Sequence, residues 1–332
     1  MWAEEDWCRG MESVKICIFD ADISAVLQEN LGKLIPDGWE LTDVPAGAQV
    51  LLTENRDVSA ALLEQADTSP FCVVRLDTGK ASVESDTVPV VEISNTGLIG
   101  VCEHVVTLVL ALSRQLLWVT EQTNKQAWIK GRDVPVLTDQ KKYTFNWVGL
   151  EPSGAVYNKS IGILGMGHIG RGVAKRLKPF GMKIYYYDVY RLSEAEEREL
   201  GIRYVDREEL LKRSDFVTLH YRFVEGPDGN ENGFGAHEFE LMKPDAYLIN
   251  TARGKLVDED ALAHALKTGQ IAGAGLDVFH YEPLRSDSPL LELAGSKVIL
   301  TPHVAGTFMD EAWVTTAEAI IDGISEQLEV SG

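Results

Sequence analysis

Cysteine is scarce in this chain. Of 332 residues only four are cysteine, Cys8, Cys17, Cys72 and Cys102, and no two form a Cys-x-x-Cys pair. That spacing offers no zinc or disulfide framework and reads as buried thiols in a reducing compartment. Positive charge is short as well: 31 Lys and Arg against 51 Asp and Glu leave a net charge of −20. Such a balance argues against a nucleic-acid partner, because little is present to neutralise a row of phosphates. Long apolar runs are also missing. The longest, 105–112, is far too short to span a bilayer, and Glu4, Glu5 and Asp6 stand where a signal peptide would be basic. No membrane partner and a cytoplasmic location are therefore expected. Neither repeats nor low-complexity tracts occur.

What remains is the ordinary mixture of a globular enzyme, 45% hydrophobic and 25% charged, at a length that suits two cores. Runs at 14–19, 50–53, 71–76 and 88–93 are nearly continuous in apolar character, as strands covered on both faces are. A helical pattern at 57–65 lies between two of them, so parallel βαβ units are expected. The spacing then predicts one long helix over 99–120, with Glu103 and Arg114 its only charges, buried between two domains. From 121 to 159 periodicity is lost, while Trp128, Tyr143, Phe145 and Trp147 are scattered through; a subunit-contact arm is the favoured reading. Alternation resumes with strands at 160–164, 183–187, 216–220, 246–250, 272–277 and 298–301. Helices at 169–178 and 258–267 fall between them, and one at 310–328 closes the chain.

The run Gly165-Met166-Gly167-His168-Ile169-Gly170 directly follows the strand at 160–164. In a dinucleotide turn the first glycine permits the bend, the second admits the pyrophosphate, and the third lets helix pack on strand. Glycine triplets alone are common in ordinary βα turns. Here the next strand ends in Asp188, near the spacing expected for a carboxylate on the adenosine ribose, which favours NAD over NADP. Arg191 tempers that preference.

Three charged side chains stand just past strand ends, where open α/β sheets bind ligands. They are Arg253 in Asn250-Thr251-Ala252-Arg253-Gly254, Glu282 in Tyr281-Glu282-Pro283, and His303 in Thr301-Pro302-His303. Together they suit a hydride-transfer site: Arg253 clamps a carboxylate, His303 exchanges a proton, and Glu282 orients the imidazole. The other histidines considered, His104, His237, His264 and His280, read as structural.

These runs, with Leu256-Val257-Asp258, Gly275-Leu276-Asp277-Val278-Phe279 and Val304-Ala305-Gly306, resemble the D-isomer-specific 2-hydroxyacid dehydrogenases over most of 98–310. The resemblance implies an α/β architecture: a Rossmann dinucleotide-binding domain (113–305) inserted into a flavodoxin-like substrate domain (1–112 and 306–332). It implies NAD as cofactor, held by Gly165, Gly167, His168, Ile169, Gly170, Asp188, Thr251, Arg253, Asp277 and His303. Asp277 would meet the nicotinamide carboxamide. It further implies catalysis by Arg253, Glu282 and His303, no metal, and a homodimer joined partly through 121–159. Glu103 and Arg114 match the family's interdomain helix. The small-molecule partner would be a D-2-hydroxy acid or 2-oxo acid.

Some loops depart from the family pattern. Asp77-Thr78-Gly79 replaces a Gly-x-Gly turn, Ser94-Asn95 replaces a proline-glycine, Arg222 replaces a proline, and the stretch from 224 to 230 is longer than usual. Arg75, Gly79, Asn95 and Arg253 are the candidate substrate contacts. Arg75, Lys80 and Arg222 favour a substrate with a second anionic group, although loop surface charge explains Lys80 and Arg222 equally well. Glu282 counts against the formate dehydrogenase branch, which carries glutamine there. A phosphite-type oxidase and an NAD(H)-sensing corepressor-like protein share the same motifs and stay open.

Overall fold

Strand-helix alternation builds two parallel sheets. The structure, a computed structural model, describes residues 13–20, 23–54, 56–66, 72–76, 81–85, 87–93, 98–150, 154–295, 297–306 and 310–331. The chain divides into two compact units, Met1–Ile99 with Phe308–Gly332, and Gly100–Thr307.

The first unit contains β1 (Val14–Ile18), α1 (Ala25–Leu34), β2 (Trp39–Thr42), β3 (Val50–Thr53), α2 (Ala60–Gln65), β4 (Cys72–Leu76) and β5 (Val90–Ile93). Its sheet runs β2-β1-β3-β4-β5 with every pairing parallel, the flavodoxin order. Apolar strand faces explain the packing. Ile16, Val50, Leu52 and Val74 are buried with Leu27 and Leu31 of α1 and with Trp313, Ala317, Ile320 and Ile324 of the C-terminal helix, Asp310–Ser331. Ser24 caps α1 by accepting from the Val26 N–H.

The second unit opens with α3 (Ile99–Ser113) and α4 (Leu116–Asn124). It continues through β6 (Ser160–Leu164), α5 (His168–Leu177), β7 (Lys183–Tyr187), α6 (Glu194–Leu200), β8 (Ile202–Tyr204) and α7 (Arg207–Arg213). It ends with β9 (Phe216–Leu219), α8 (Ala236–Leu241), β10 (Tyr247–Asn250), α9 (Glu259–Thr268), β11 (Gly273–Leu276) and β12 (Val298–Leu300). The parallel sheet β12-β11-β10-β9-β6-β7-β8 is the Rossmann order with a seventh strand added. One face buries Ile161, Ile163 and Val173 with Val105, Leu108 and Val109 of α3; the other buries Leu219, Leu248, Leu262 and Leu266.

Two expectations change. The division falls at 99/100 and 307/308 rather than at 112/113 and 305/306, because α3 shares its core with β6 and α5. The single helix over 99–120 is two helices meeting at 59°. Ser113 Oγ donates back to the Leu110 carbonyl at 3.0 Å, and Gln115 turns left-handed at φ 46° before the helix restarts. No single described helix is long and apolar enough to cross a membrane.

Between α4 and residue 150 there is no helix or strand. Trp128 and Trp147 pack edge to face at 6.2 Å, and Arg132 Nη1 donates to the Phe145 and Asn146 carbonyls, both at 2.8 Å.

Candidate active site

The glycine turn follows β6 and opens α5. Gly165 has φ +95°, and a Cβ there would stand 2.6 Å from the His220 carbonyl carbon. A Cβ on Gly170 would lie 2.3 Å from the Gly165 oxygen. Gly167 has nothing within 4 Å. The first and third glycines are therefore demanded by the protein's own backbone, whereas the second leaves open space above the N-terminus of α5. Asp188 lies against this turn: Met166 N donates to Oδ2 at 2.7 Å and Tyr190 N to Oδ1 at 3.1 Å. At the end of β10, Thr251 Oγ1 is buried with no hydrogen-bond partner. The open cradle, the helix N-terminus and the orphaned hydroxyl fit a dinucleotide. His168 and Ile169 form the first turn of α5, where Cys102 Sγ reaches the Ile169 carbonyl at 3.6 Å.

The rim lies past β10, β11 and β12. Asn250 folds the first loop over itself, donating from Nδ2 to the Arg253 carbonyl at 2.8 Å and accepting from Ala252 N at 3.0 Å. Gly254 presses this loop on the next: a Cβ there would sit 1.9 Å from the Phe279 carbonyl carbon. Arg253 is exposed, with Nη1 donating to the Ala252 carbonyl at 2.6 Å. In the second loop Glu282 Oε1 accepts from Phe279 N at 3.0 Å, while Oε2 meets His303 Nδ1 at 2.6 Å. The structure thus brings Glu282 and His303 into direct contact. Burial acts to raise the Glu282 pKa, but the hydrogen bonds from His303 and the Phe279 N–H prevail and hold its carboxyl below the usual glutamate range.

His303 occupies a left-handed conformation, φ 53°. Asp277 braces the segment around it. This fully buried carboxylate accepts from Thr301 Oγ1 at 2.6 Å and from the N–H groups of Val304 and Ala305, both at 2.9 Å. Because the Thr301 hydroxyl has one proton and gives it to Asp277, its oxygen is left to accept, which puts a proton on His104 Nε2, 3.0 Å away. His104, expected to be structural, thus joins the Thr301–Asp277 cluster that braces the rim. His220 is half-buried beside the glycine turn, and desolvation pushes its pKa down to about 3.

The first-unit candidates fare differently. Arg75, at the end of β4, gives Nη1 to the Ala81 carbonyl at 2.9 Å and pairs through Nη2 with Glu92. Gly79, Lys80 and Asn95 lie outside the described residues. In the second unit Arg222 is exposed, and the long loop after it is tied by Asn230, whose Nδ2 donates to the Arg222 carbonyl and whose Oδ1 accepts from Val224 N, both at 2.8 Å. Among the described residues, no group of three or more His, Cys, Asp or Glu is placed to hold a metal ion.

The NAD binding domain of the D-isomer specific 2-hydroxyacid dehydrogenases matches residues 106–305. This chain belongs to that family. The glyoxylate/hydroxypyruvate reductase B of Shigella boydii serotype 4 (strain Sb227) is 35% identical over 291 residues, 86% of this chain and 82% of the relative. A glyoxylate reductase of Korarchaeum cryptofilum (strain OPF8) is 51% identical over 150 residues, 45% of this chain; such relatives are spanned over about half their length, here 43%. The NAD-complexed D-isomer specific 2-hydroxyacid dehydrogenase of Lactobacillus delbrueckii ssp. bulgaricus shares the fold, with a TM-score of 0.59, 22% identity, and coverage of 96% of this chain and 97% of that one.

Around this site, the sequence assigns His104 only a structural reading and Thr301 only a place in the Thr301-Pro302-His303 run, and it does not single out the two glutamates Glu196 and Glu197 of α6. Only α6 was signalled locally: Ser193 and Glu196 form a capping box. His104 carried no signal, since its partner lies 197 residues away.

Proposed function

We propose that this protein interconverts a D-2-hydroxy acid and a 2-oxo acid with NAD, His303 exchanging the proton. The observation that carries this is the 2.6 Å contact between Glu282 and His303 at the ligand end of a sheet that also bears a dinucleotide turn. The bound cofactor supplies or accepts the hydride. His303 directs Nδ1 at Glu282, which leaves Nε2 to give its proton to the substrate oxygen during reduction and to take it back during oxidation. Glu282 fixes the ring and offsets the positive charge of the imidazolium. Arg253 is exposed on the same rim, and its guanidinium suits the substrate carboxylate through paired hydrogen bonds. Asp277 and Thr301 keep the His303 segment in place; a role for Asp277 at the nicotinamide would compete with the three hydrogen bonds it already accepts.

A small 2-oxo acid such as glyoxylate or hydroxypyruvate is the favoured substrate, by analogy with the reductases to which the chain is similar. A second anionic group gains little from Arg75, whose charge is met by Glu92. The protein is read as a cytoplasmic homodimer. Burial lifts the Cys17 and Cys72 thiols to about 11 and about 12, as suits thiols kept reduced. The deciding experiment follows NADH oxidation over 2-oxo acids with hydrogen, hydroxymethyl, apolar, carboxylate and phosphate side groups. Turnover is expected with the smallest; NADH binding without turnover of any would overturn the reading.

A further inference from the structure

Two arginines approach the corner made by the glycine turn and Asp188, and both are tied down. Arg191, three residues past Asp188, donates from Nε to Glu197 Oε1 at 2.8 Å and from Nη2 to Glu197 Oε2 at 3.1 Å. Its guanidinium also lies 5.2 Å from the centre of the Tyr204 ring. Glu197 is also held by the hydroxyl of fully buried Tyr186, which donates to Oε1 at 2.8 Å and accepts from Leu192 N at 2.9 Å. Arg171 is bound in parallel fashion: Nη1 donates to Glu196 Oε1 at 2.6 Å, and Nε reaches the carbonyl of Met166, within the glycine turn, at 3.3 Å. Glu196 is itself fixed by the capping box with Ser193. Two successive glutamates in the first turn of one helix thus each hold one arginine.

The charge states agree with the geometry. The Arg191 hydrogen bond holds the Glu197 carboxyl below its ordinary range against the effect of burial. Ser193 first and Arg171 next bring Glu196 down to about 2. In dinucleotide sheets, a carboxylate after the second strand binds a bare ribose diol, whereas a nearby arginine accommodates a 2′-phosphate. This chain has both residue types in one short stretch, so selectivity turns on which of them is available.

We propose that Glu197, by clamping Arg191, sets the dinucleotide selectivity of the site, withholding a guanidinium from the adenosine 2′ position and leaving Asp188 to favour NAD over NADP. Glu197 is a positioning residue in this scheme. The inference rests on the corner being the cofactor site, and it is independent of the substrate.

The test is fluorescence titration of the full chain with NADH and with NADPH, without substrate. Wild type should bind NADH at least about tenfold more tightly, the scale of one charge-assisted hydrogen bond gained or lost. Glu197→Gln keeps an acceptor for Tyr186 but removes the charge; it should tighten NADPH by about tenfold and change NADH by less than about twofold. Adding Arg191→Ala should cancel the gain. Should Glu197→Gln melt early, Glu197→Asp shortens the clamp while keeping its charge, and a smaller gain that depends on Arg191 is expected. Equal wild-type affinities, an unchanged NADPH affinity in a folded variant that still binds NADH, or a gain that survives Arg191→Ala would each overturn the proposal. Loss of 2-oxo acid turnover with these affinities intact would instead overturn the assigned reaction.

Discussion

At the turn between β6 and α5, the backbone passes through space that side chains would fill: a Cβ on Gly165 would meet the His220 carbonyl carbon at 2.6 Å. Past β11 and β12 the opposite holds. There a buried carboxylate, Asp277, gathers a hydroxyl and two backbone N–H groups, and His303 keeps a left-handed backbone beside them. The turn is shaped by missing atoms and the rim by bonded ones. A dinucleotide cradle needs room and free N–H groups, which glycine and a helix N-terminus provide. A proton-transfer site needs one ring held in one orientation, which takes hydrogen bonds from several directions. Substitutions should therefore fail differently in the two regions.

The largest expected effect is at the rim. His303→Asn retains a residue tolerant of left-handed φ and removes the proton carrier, so turnover should fall by about 10²–10⁴-fold. NADH affinity, read by fluorescence titration, should stay nearly constant. Equal loss of both would erase the division of labour between rim and turn. Next comes the turn. Gly165→Ala adds a Cβ at φ +95° against backbone, at a cost of about 2–5 kcal/mol from left-handed strain and overpacking. Gly167→Ala meets nothing within 4 Å, so its melting temperature should stay close to wild type while NADH binding weakens. Thermal melts paired with titrations separate the two glycines; a matching loss of stability in both would contradict their assigned reasons.

Asp277→Asn probes the bracing of the rim. An amide cannot accept from Thr301, Val304 and Ala305 as the carboxylate does, and a buried donor left unpaired costs about 1–3 kcal/mol. Turnover should fall while NADH affinity holds, and the apparent affinity for the 2-oxo acid should change less than kcat. A variant that loses NADH binding as much as turnover would move Asp277 from the rim to the cofactor.

The same contrast governs what the sequence reveals. Glycines demanded by backbone contact appear as glycines, so Gly165 and Gly170 are legible at once, while Gly167 and Asp188 follow from spacing. Strands buried on both faces are equally plain: β3 and β6 match their apolar runs to the residue, and the half-buried β7 matches as well. β2 and β8 escape notice because each is a short edge strand, with no continuous apolar run to mark it. The break between α3 and α4 is hidden because apolar residues resume at Leu116 directly after the short polar run Ser113-Arg114-Gln115. The Glu282–His303 pair is readable as two strand-end residues, but its support from Asp277, Thr301 and His104 is not. Such bonds join residues far apart in sequence and leave no periodicity.

The smallest effect is a pH dependence confined to the rim. The folded state holds the Glu282 carboxyl below its ordinary range, with His303 and the Phe279 N–H outweighing burial. Folding therefore binds fewer protons at this group than the unfolded chain does. Its contribution is complete above the unfolded glutamate pKa and is lost as pH falls through the lower folded value. Glu282 is partly exposed, so solvent screening keeps this contribution small. Melts of wild type and Glu282→Gln from about pH 7 to about pH 3 should show a gap in melting temperature that narrows only in the acid part of that range. In reduction assays, wild-type kcat/KM should decline on the same acid limb as the imidazolium loses its carboxylate partner, and Glu282→Gln should lack that limb. A gap that stays constant with pH would mean that Glu282 supports His303 as a neutral spacer, and the rim would then be held by shape, as the glycine turn is, rather than by charge.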